Sequence, residues 1–400
     1  MTTRQEFAVV ADGWFDGEAF RREPTSFRVA DGRIADIQAG DLGAQAEDAG
    51  LAVRRVPFLM PGLVDAHVHL FLDGAPTDLA VRSAHMKKSV AELTEAARQS
   101  AHAAVRCGVS LVRDAGDKHG INNAIRAEAK KAGSGLPRVR SGGIGIRAPK
   151  RYGGFMAADV ADGEAMRDAA IRLAAENDEV KLILTGIIDF EAGAVTDEPQ
   201  FNLDDVRLVV ETARANGRAV FAHCSGIKGL EIAAAAGVGS IEHGFFMNRA
   251  VLETMLRNDV AWTPTFSPVH AQWANPAPMK WSEQTVANLA RILESHAAHL
   301  KLAHEIGVTL LLGTDAGSMG EEHGKAMLTE MRCYLDAGLP LEAVLRAAMS
   351  VPRRRFGEDH ARLEKDAAFD AFGYARDPAE GIEALAAPLA GWLSGVPVTL

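Results

Sequence analysis

Between residues 60 and 340, short apolar or β-branched runs alternate with stretches whose apolar residues recur at helical spacing. The runs predict eight strands: Asp65–His69, Ser110–Asp114, Arg138–Ile146, Val180–Leu184, Ala219–His223, Ser240–His243, Ala261–Phe266 and Val308–Gly313. Between them, Val90, Leu93, Ala97, Ala101 and Ala104 line one face of a predicted helix. Val206, Val209, Val210 and Ala213 line another, with Asn202 placed to cap its start and Gly217 just past its end. Eight strand–helix units predict a closed parallel (β/α)8 barrel in preference to an open doubly wound sheet. The glycine-rich run around Gly142 lies inside a predicted strand, where a phosphate-binding loop would not sit.

The two ends of the chain are patterned differently. Residues 1–58 hold short alternating stretches broken by turn signals, such as "SFRVADGRIADIQAG", which predict β-hairpins. Residues 359–400 hold a similar stretch, "AAFDAFGYARDP", and then "GVPVTL". The expectation is one small β-sandwich domain built from 1–58 and 359–400, packed beside a barrel of residues 59–358.

Composition narrows the class without naming it. Of 400 residues, 48% are apolar and 24% charged, as in an ordinary globular protein able to bury a large core. The net charge of −10 (43 basic against 53 acidic residues) is scattered along the chain, which argues against a nucleic-acid surface. Cys107, Cys224 and Cys333 are far apart and form no C-x-x-C pair, so reduced thiols are expected. No apolar run approaches a membrane span and no leader pattern is seen, which sets the expectation of a cytoplasmic protein with neither membrane nor nucleic-acid partner. Self-association stays open.

The chemistry lies at the ends of five predicted strands. His67 and His69 stand two apart in "PGLVDAHVHL", so period two puts both imidazoles on one face. His223 ("VFAHCSG"), His243 ("SIEHG") and Asp315 ("LLLGTDAG") each end a later strand. In a barrel these C-terminal strand ends carry the active site. Taken singly, each has an ordinary explanation, a satisfied core histidine or a turn aspartate; together they read as one metal-ligand set. Lys181 opens the apolar run "VKLILTG", where a charged amine is costly to bury. Either it snorkels at the strand's start, or burial lowers its pKa and the neutral amine takes up carbon dioxide as a carbamate. The company of five other ligand candidates favours the carbamate.

The set His67-x-His69, Lys181, His223, His243 and Asp315, with "VRDAG" and "LEKDAAFDAFGYARDP" around it, resembles the amidohydrolase superfamily. The resemblance is to its binuclear branch with a carboxylated lysine, which includes prolidase-like and imidazolonepropionase-related members. It implies two divalent metal ions, zinc before manganese, cobalt or iron. His67, His69 and Asp315 would hold the more buried ion, His223 and His243 the more exposed one, with carboxylated Lys181 between. It implies Asp315 and His243 as catalytic residues and hydrolysis of an amide C–N bond in a small molecule, a dipeptide or other N-acyl amino acid. Mononuclear deaminases of the superfamily usually carry a glutamate three residues after the fifth-strand histidine, where Gly226 stands here. The alternatives are an ester, lactone or carbamate hydrolase on the same site, or a deaminase of a heterocycle.

The chain departs from the dipeptidases at places expected to touch substrate. The loop after the third strand, "GIGIRAPKRYGGFM", has no histidine and offers Arg147, Arg151 and Tyr152 instead. Cys224-Ser225 follows His223 where a tyrosine is expected. The proline-punctuated segment "SPVHAQWANPAPMKWSEQT", with His270, Trp273 and Trp281, is expected to be a lid loop.

Overall fold

A computed structural model describes residues 6–358 and 360–400. Residues 1–5 and Asp359, at which the two segments of the expected small domain begin, lie outside the described residues. Parallel strands and helices alternate through the middle of the chain, and the ends build a separate sheet.

Two parallel sheets form the centre. One pairs Leu63–Val68 with Val109–Asp114, and that with Arg138–Ser141. The other runs from Ala157–Asp159 through Gly145–Arg147, Val180–Ile183, Val220–Cys224 and Ser240–His243 to Ala261–Thr263. The third expected strand is therefore two: it breaks at Gly142–Ile144, where Gly143 adopts φ +62° and its carbonyl accepts from Asn122 Nδ2 at 2.8 Å. The seventh stops at Thr263, ahead of Pro264, which has no N–H to give, and Thr265, at φ +50°.

The eighth expected strand, Val308–Gly313, is not a regular strand. It joins the two sheets through single main-chain bonds instead. Leu311 N donates to Trp262 O at 2.8 Å on one side, and Ala66 N to Leu312 O at 2.9 Å on the other. Gly313 allows this close approach, because a Cβ there would lie 2.6 Å from Thr263 and 2.8 Å from His67 N. Asp315 N then donates to His67 O at 2.7 Å, which sets two candidate ligands side by side.

The helices follow the apolar stripes. Val90–Arg106 opens with a Ser89–Glu92 capping box and buries Leu93, Ala97, Ala101 and Ala104, while Val90 stays exposed. Leu203–Ala215 starts at an Asn202 cap and buries all four expected residues. The expected lid loop is largely helical, with Ser267–Ala274, a 3₁₀ turn at Ala277–Met279 and then the long helix Glu283–Ile306. Its prolines sit at helix starts, where the missing N–H costs nothing. No helix among the described residues is long and apolar enough to cross a membrane.

Strands from both ends hydrogen-bond into one sheet, whose order places Ala371–Tyr374 between Ala52–Pro61 and Ala390–Leu393. The sheet curls back on itself. Phe7 and Trp392 lie three strands apart in it, yet their rings are 6.2 Å apart, against about 14 Å for three flat spacings. Phe27, Val29, Leu59, Phe369 and Trp392 fill the curl.

Asp16 stitches the two ends together. Its buried carboxylate accepts from Glu18 N at 2.7 Å, Ala19 N at 2.9 Å, Arg21 Nη2 at 2.9 Å and Arg362 Nη2 at 2.6 Å. Burial pushes its pKa up, but the backbone donors and the two arginines outweigh that and hold it below 3.8. A lowered pKa adds stability above 3.8 that is lost as pH falls through the folded value. Asp16→Ala should lower unfolding free energy by about 2–4 kcal/mol near neutrality. Urea midpoints measured from pH 7 to pH 3 should show the gap to wild type closing at the acid end.

Candidate metal centre

The candidate ligands come together at the C-terminal ends of the parallel strands. His67 and His69 rings are 5.6 Å apart, His67 and His243 5.0 Å, and His223 and His243 4.5 Å. Asp315 Oδ1 lies 3.7 Å from His67 Nε2 and 3.6 Å from His69 Nε2. These three atoms lie within 4.8 Å of one another, close enough to share a metal ion.

Each imidazole has one nitrogen anchored, which leaves the other free. His67 Nδ1 meets Glu242 Oε2 at 2.6 Å, His69 Nδ1 meets Gly116 O at 3.0 Å, and His243 Nδ1 meets Thr265 Oγ1 at 2.8 Å. In all three, Nε2 remains to act as a ligand. His223 is turned the other way: Nε2 faces Gly186 O at 3.4 Å and Nδ1 is the free nitrogen. Burial lowers the pKa of all four, to about 3 for His69 and His223, so they are neutral with a lone pair available.

Lys181 is wholly buried, and its Nζ, like His67 Nε2, has no hydrogen-bond partner. The ammonium position lies 4.8 Å from the Phe221 ring centre. Burial pushes its pKa down, against the pull of Glu242 and Asp315. Burial likewise pushes Asp315 up, with Lys181 opposing. Two sealed, unpartnered nitrogens beside neutral imidazoles and a carboxylate are what a divalent-cation site contains before its ion is counted.

Several participants escaped the sequence reading. Glu242 precedes His243, and strict alternation sends neighbours to opposite faces. His243, however, adopts φ +68°, and so does not continue the pleat; both side chains reach the interior. Asp315 is held similarly at φ +54°. Such residues cost about 1–2 kcal/mol each and mark positions fixed by their surroundings. Behind Glu242 lies Arg113, itself from the "VRDAG" run. It donates to Glu242 Oε1 at 2.7 Å, Ala66 O at 2.7 Å, Ser240 Oγ at 3.1 Å and Thr263 Oγ1 at 3.3 Å, and it lies 4.6 Å from the Phe221 ring centre.

The remaining expected residues are dispersed. Tyr152 lies at the site, its ring 5.2 Å from His223, in a loop pinned by Gln200 Nε2 to Tyr152 O at 3.2 Å. Phe155 from the same loop is 6.3 Å from His69. Arg147 is committed to Asp159 at 2.7 Å and to the Arg151 carbonyl, and Arg151 to the Glu198 carbonyl. His270 stacks loosely on Trp273 at 5.7 Å, and Trp281 meets Phe190 at 6.1 Å. Cys224 packs in the apolar core, its Sγ beside Gly229. A surface groove of about 930 Å³ beside Pro149, Gln200 and Ile232 contains none of the site residues.

Comparison with known proteins defines the class. Residues 58–371 match the Amidohydrolase family, and the chain belongs to it. An ochratoxinase of Aspergillus niger is 26% identical over 366 residues, covering 84% of this chain and 73% of the other. An uncharacterised protein of Mycobacterium tuberculosis is 28% identical over 338 residues, covering 81% and 80%. Among solved structures, a Xaa-Pro dipeptidase with methionine in its active site superposes with a TM-score of 0.85 at 22% identity, covering 99% of this chain and all of that one.

The buried pair behind His67 yields a direct test. Arg113→Met should remove the cation paired with Glu242 and leave that carboxylate only its His67 and Ser240 contacts, costing about 3–5 kcal/mol in a urea titration. Arg113→Lys should recover less than half of that, since one ammonium cannot serve acceptors spread around a guanidinium fork.

Proposed function

We propose that this protein is a metal-dependent amide hydrolase acting on a small molecule, most plainly a dipeptide or other N-acyl amino acid. One observation carries the reading: four neutral imidazoles and Asp315 surround a buried Lys181 whose amine has no partner. The ochratoxinase and dipeptidase likenesses support it, as does family membership. The reading includes a closed (β/α)8 barrel over residues 59–358, supported by the two parallel sheets and the segment bonded to both. The curled sheet from 1–58 and 359–400 is its companion domain.

In this reading His67, His69 and Asp315 hold one divalent cation, His223 and His243 a second, and carboxylated Lys181 lies between them. Zinc suits the nitrogen and oxygen donors, and manganese, cobalt or iron are the other candidates. When bound, such a pair supplies Lewis acidity and brings the pKa of water toward neutrality. The chain's own residues do the rest. Asp315 takes the proton of the attacking water and hands it to the leaving nitrogen. Ser318 Oγ, donating to Asp315 Oδ2 at 3.1 Å, holds the carboxylate in one orientation for both transfers. Tyr152, whose ring lies 5.2 Å from that of His223, donates its phenol proton toward the scissile carbonyl oxygen in this reading.

Metal-loaded protein should be incubated with dipeptides, N-acyl amino acids, aryl amides, carbamates, lactones and amino-heterocycles, with products read by mass spectrometry. Gain of water with release of an amine is the expected result. Loss of ammonia from a heterocycle with the amides untouched would replace this reading with a deaminase. Asp315→Asn should keep part of the metal content, measured by elemental analysis, while turnover falls by at least about 100-fold; full activity would remove Asp315 from proton transfer.

A further inference from the structure

Arg82 is a half-buried cation without a counter-ion. It lies on the helix Leu79–His85, which follows the His67 strand. Nη1 donates to Asp73 O at 2.8 Å and Pro76 O at 3.3 Å, and Nη2 to Gly317 O at 2.9 Å. All three acceptors are neutral carbonyls. They satisfy donors without carrying a charge, and no carboxylate among the described residues forms an ion pair with it. The nearest acids are occupied: Asp78 caps its own helix and Asp73 accepts from Ala75 N. A guanidinium has five N–H groups, so two remain free.

Its position ties it to the site. Gly317 stands two residues after Asp315, and a Cβ there would lie 2.7 Å from His69 O, so the carbonyl that holds Arg82 belongs to a segment packed against both candidate ligands. The charges of Asp73 and, less strongly, Asp315 are felt at Arg82. Arg113 and Arg147 are already matched, by Glu242 and Asp159.

We propose that Arg82 receives the free carboxylate of an N-acyl amino acid whose amide carbon faces Asp315. This rests on the amide-hydrolase reading and adds the feature that selects the substrate. The two free N–H groups of a guanidinium held still by three carbonyls suit a carboxylate, and an arginine is the side chain for that planar match.

The test pairs N-acetyl and N-benzoyl amino acids with their carboxamides, which differ only in that charge. Wild type should prefer the acids. Arg82→Gln should abolish the preference, raising KM for the acids by about 100-fold, with kcat changed far less; Arg82→Lys should restore part of it. Equal use of acid and carboxamide by wild type, or a variant that loses both to the same extent, overturns the proposal and leaves Arg82 as a loop clamp. Calorimetric titration of N-acetyl amino acids gives a readout independent of turnover. Binding by wild type but not by Arg82→Gln supports the carboxylate site even if no amide is cleaved, an outcome that would count against the hydrolase reading alone. Absence of binding and of acid preference in wild type sinks it.

Discussion

The chain of buried charge from Arg113 through Glu242 to His67 is the constraint around which the rest of the site is arranged. A guanidinium and a carboxylate withdrawn from water are tolerable only when each satisfies the other with good geometry. Here the arginine spans the interior, touching the Ala66 carbonyl, Ser240 and Thr263 as well as the glutamate. Those contacts fix Glu242, and Glu242 fixes the face of the His67 ring. The consequence is chemical: His67 keeps Nε2 3.7 Å from Asp315 and without a hydrogen-bond partner among the described residues. His69 and His243 repeat the arrangement with cheaper anchors, a main-chain carbonyl and a threonine hydroxyl.

Much of this was legible in the sequence, for identifiable reasons. Period two brought His67 and His69 to one face, and the apolar stripe with its Asn202 cap gave the helix Leu203–Ala215 as found. Strand ends carrying His223, His243 and Asp315 converge because parallel strands deliver all their C-termini to one face. What stayed hidden depended on single backbone angles or on close approach. Left-handed geometry at His243 is what brings its ring to the same side as Glu242, and no residue type announces it. The segment Val308–Gly313 carries the apolar pattern of a strand yet pairs by isolated bonds, since Gly313 lets its neighbours press too close for a regular ladder. The aromatic segment from Ser267 to Trp281 reads as a loop because of its prolines, but these fall at helix starts. Arg82 carried no local signal at all. Its meaning comes from a carbonyl far along the chain.

Burial does two opposite things at this site. It strips protons from the imidazoles and disfavours the ammonium form of Lys181, preparing both as electron-pair donors. It also raises the proton affinity of Asp315, in keeping with the proton transfer proposed for it. One low-polarity environment thus acts in opposite directions on the basic and the acidic side chains of the site.

The strand Ala52–Pro61 has a consequence for how the molecule is made. It runs through Gly62 directly into the His67 strand, yet its last four residues pair with Ala371–Tyr374, and Gly62 N itself donates to Asp370 O at 2.9 Å. The first candidate ligands are therefore secured by residues synthesised long after them. A chain still emerging from the ribosome holds every imidazole of the site and lacks the strand that anchors the first two. Such a nascent chain would hold its candidate ligands unclamped, so assembly of the centre is set by the arrival of that strand, not by the appearance of its histidines.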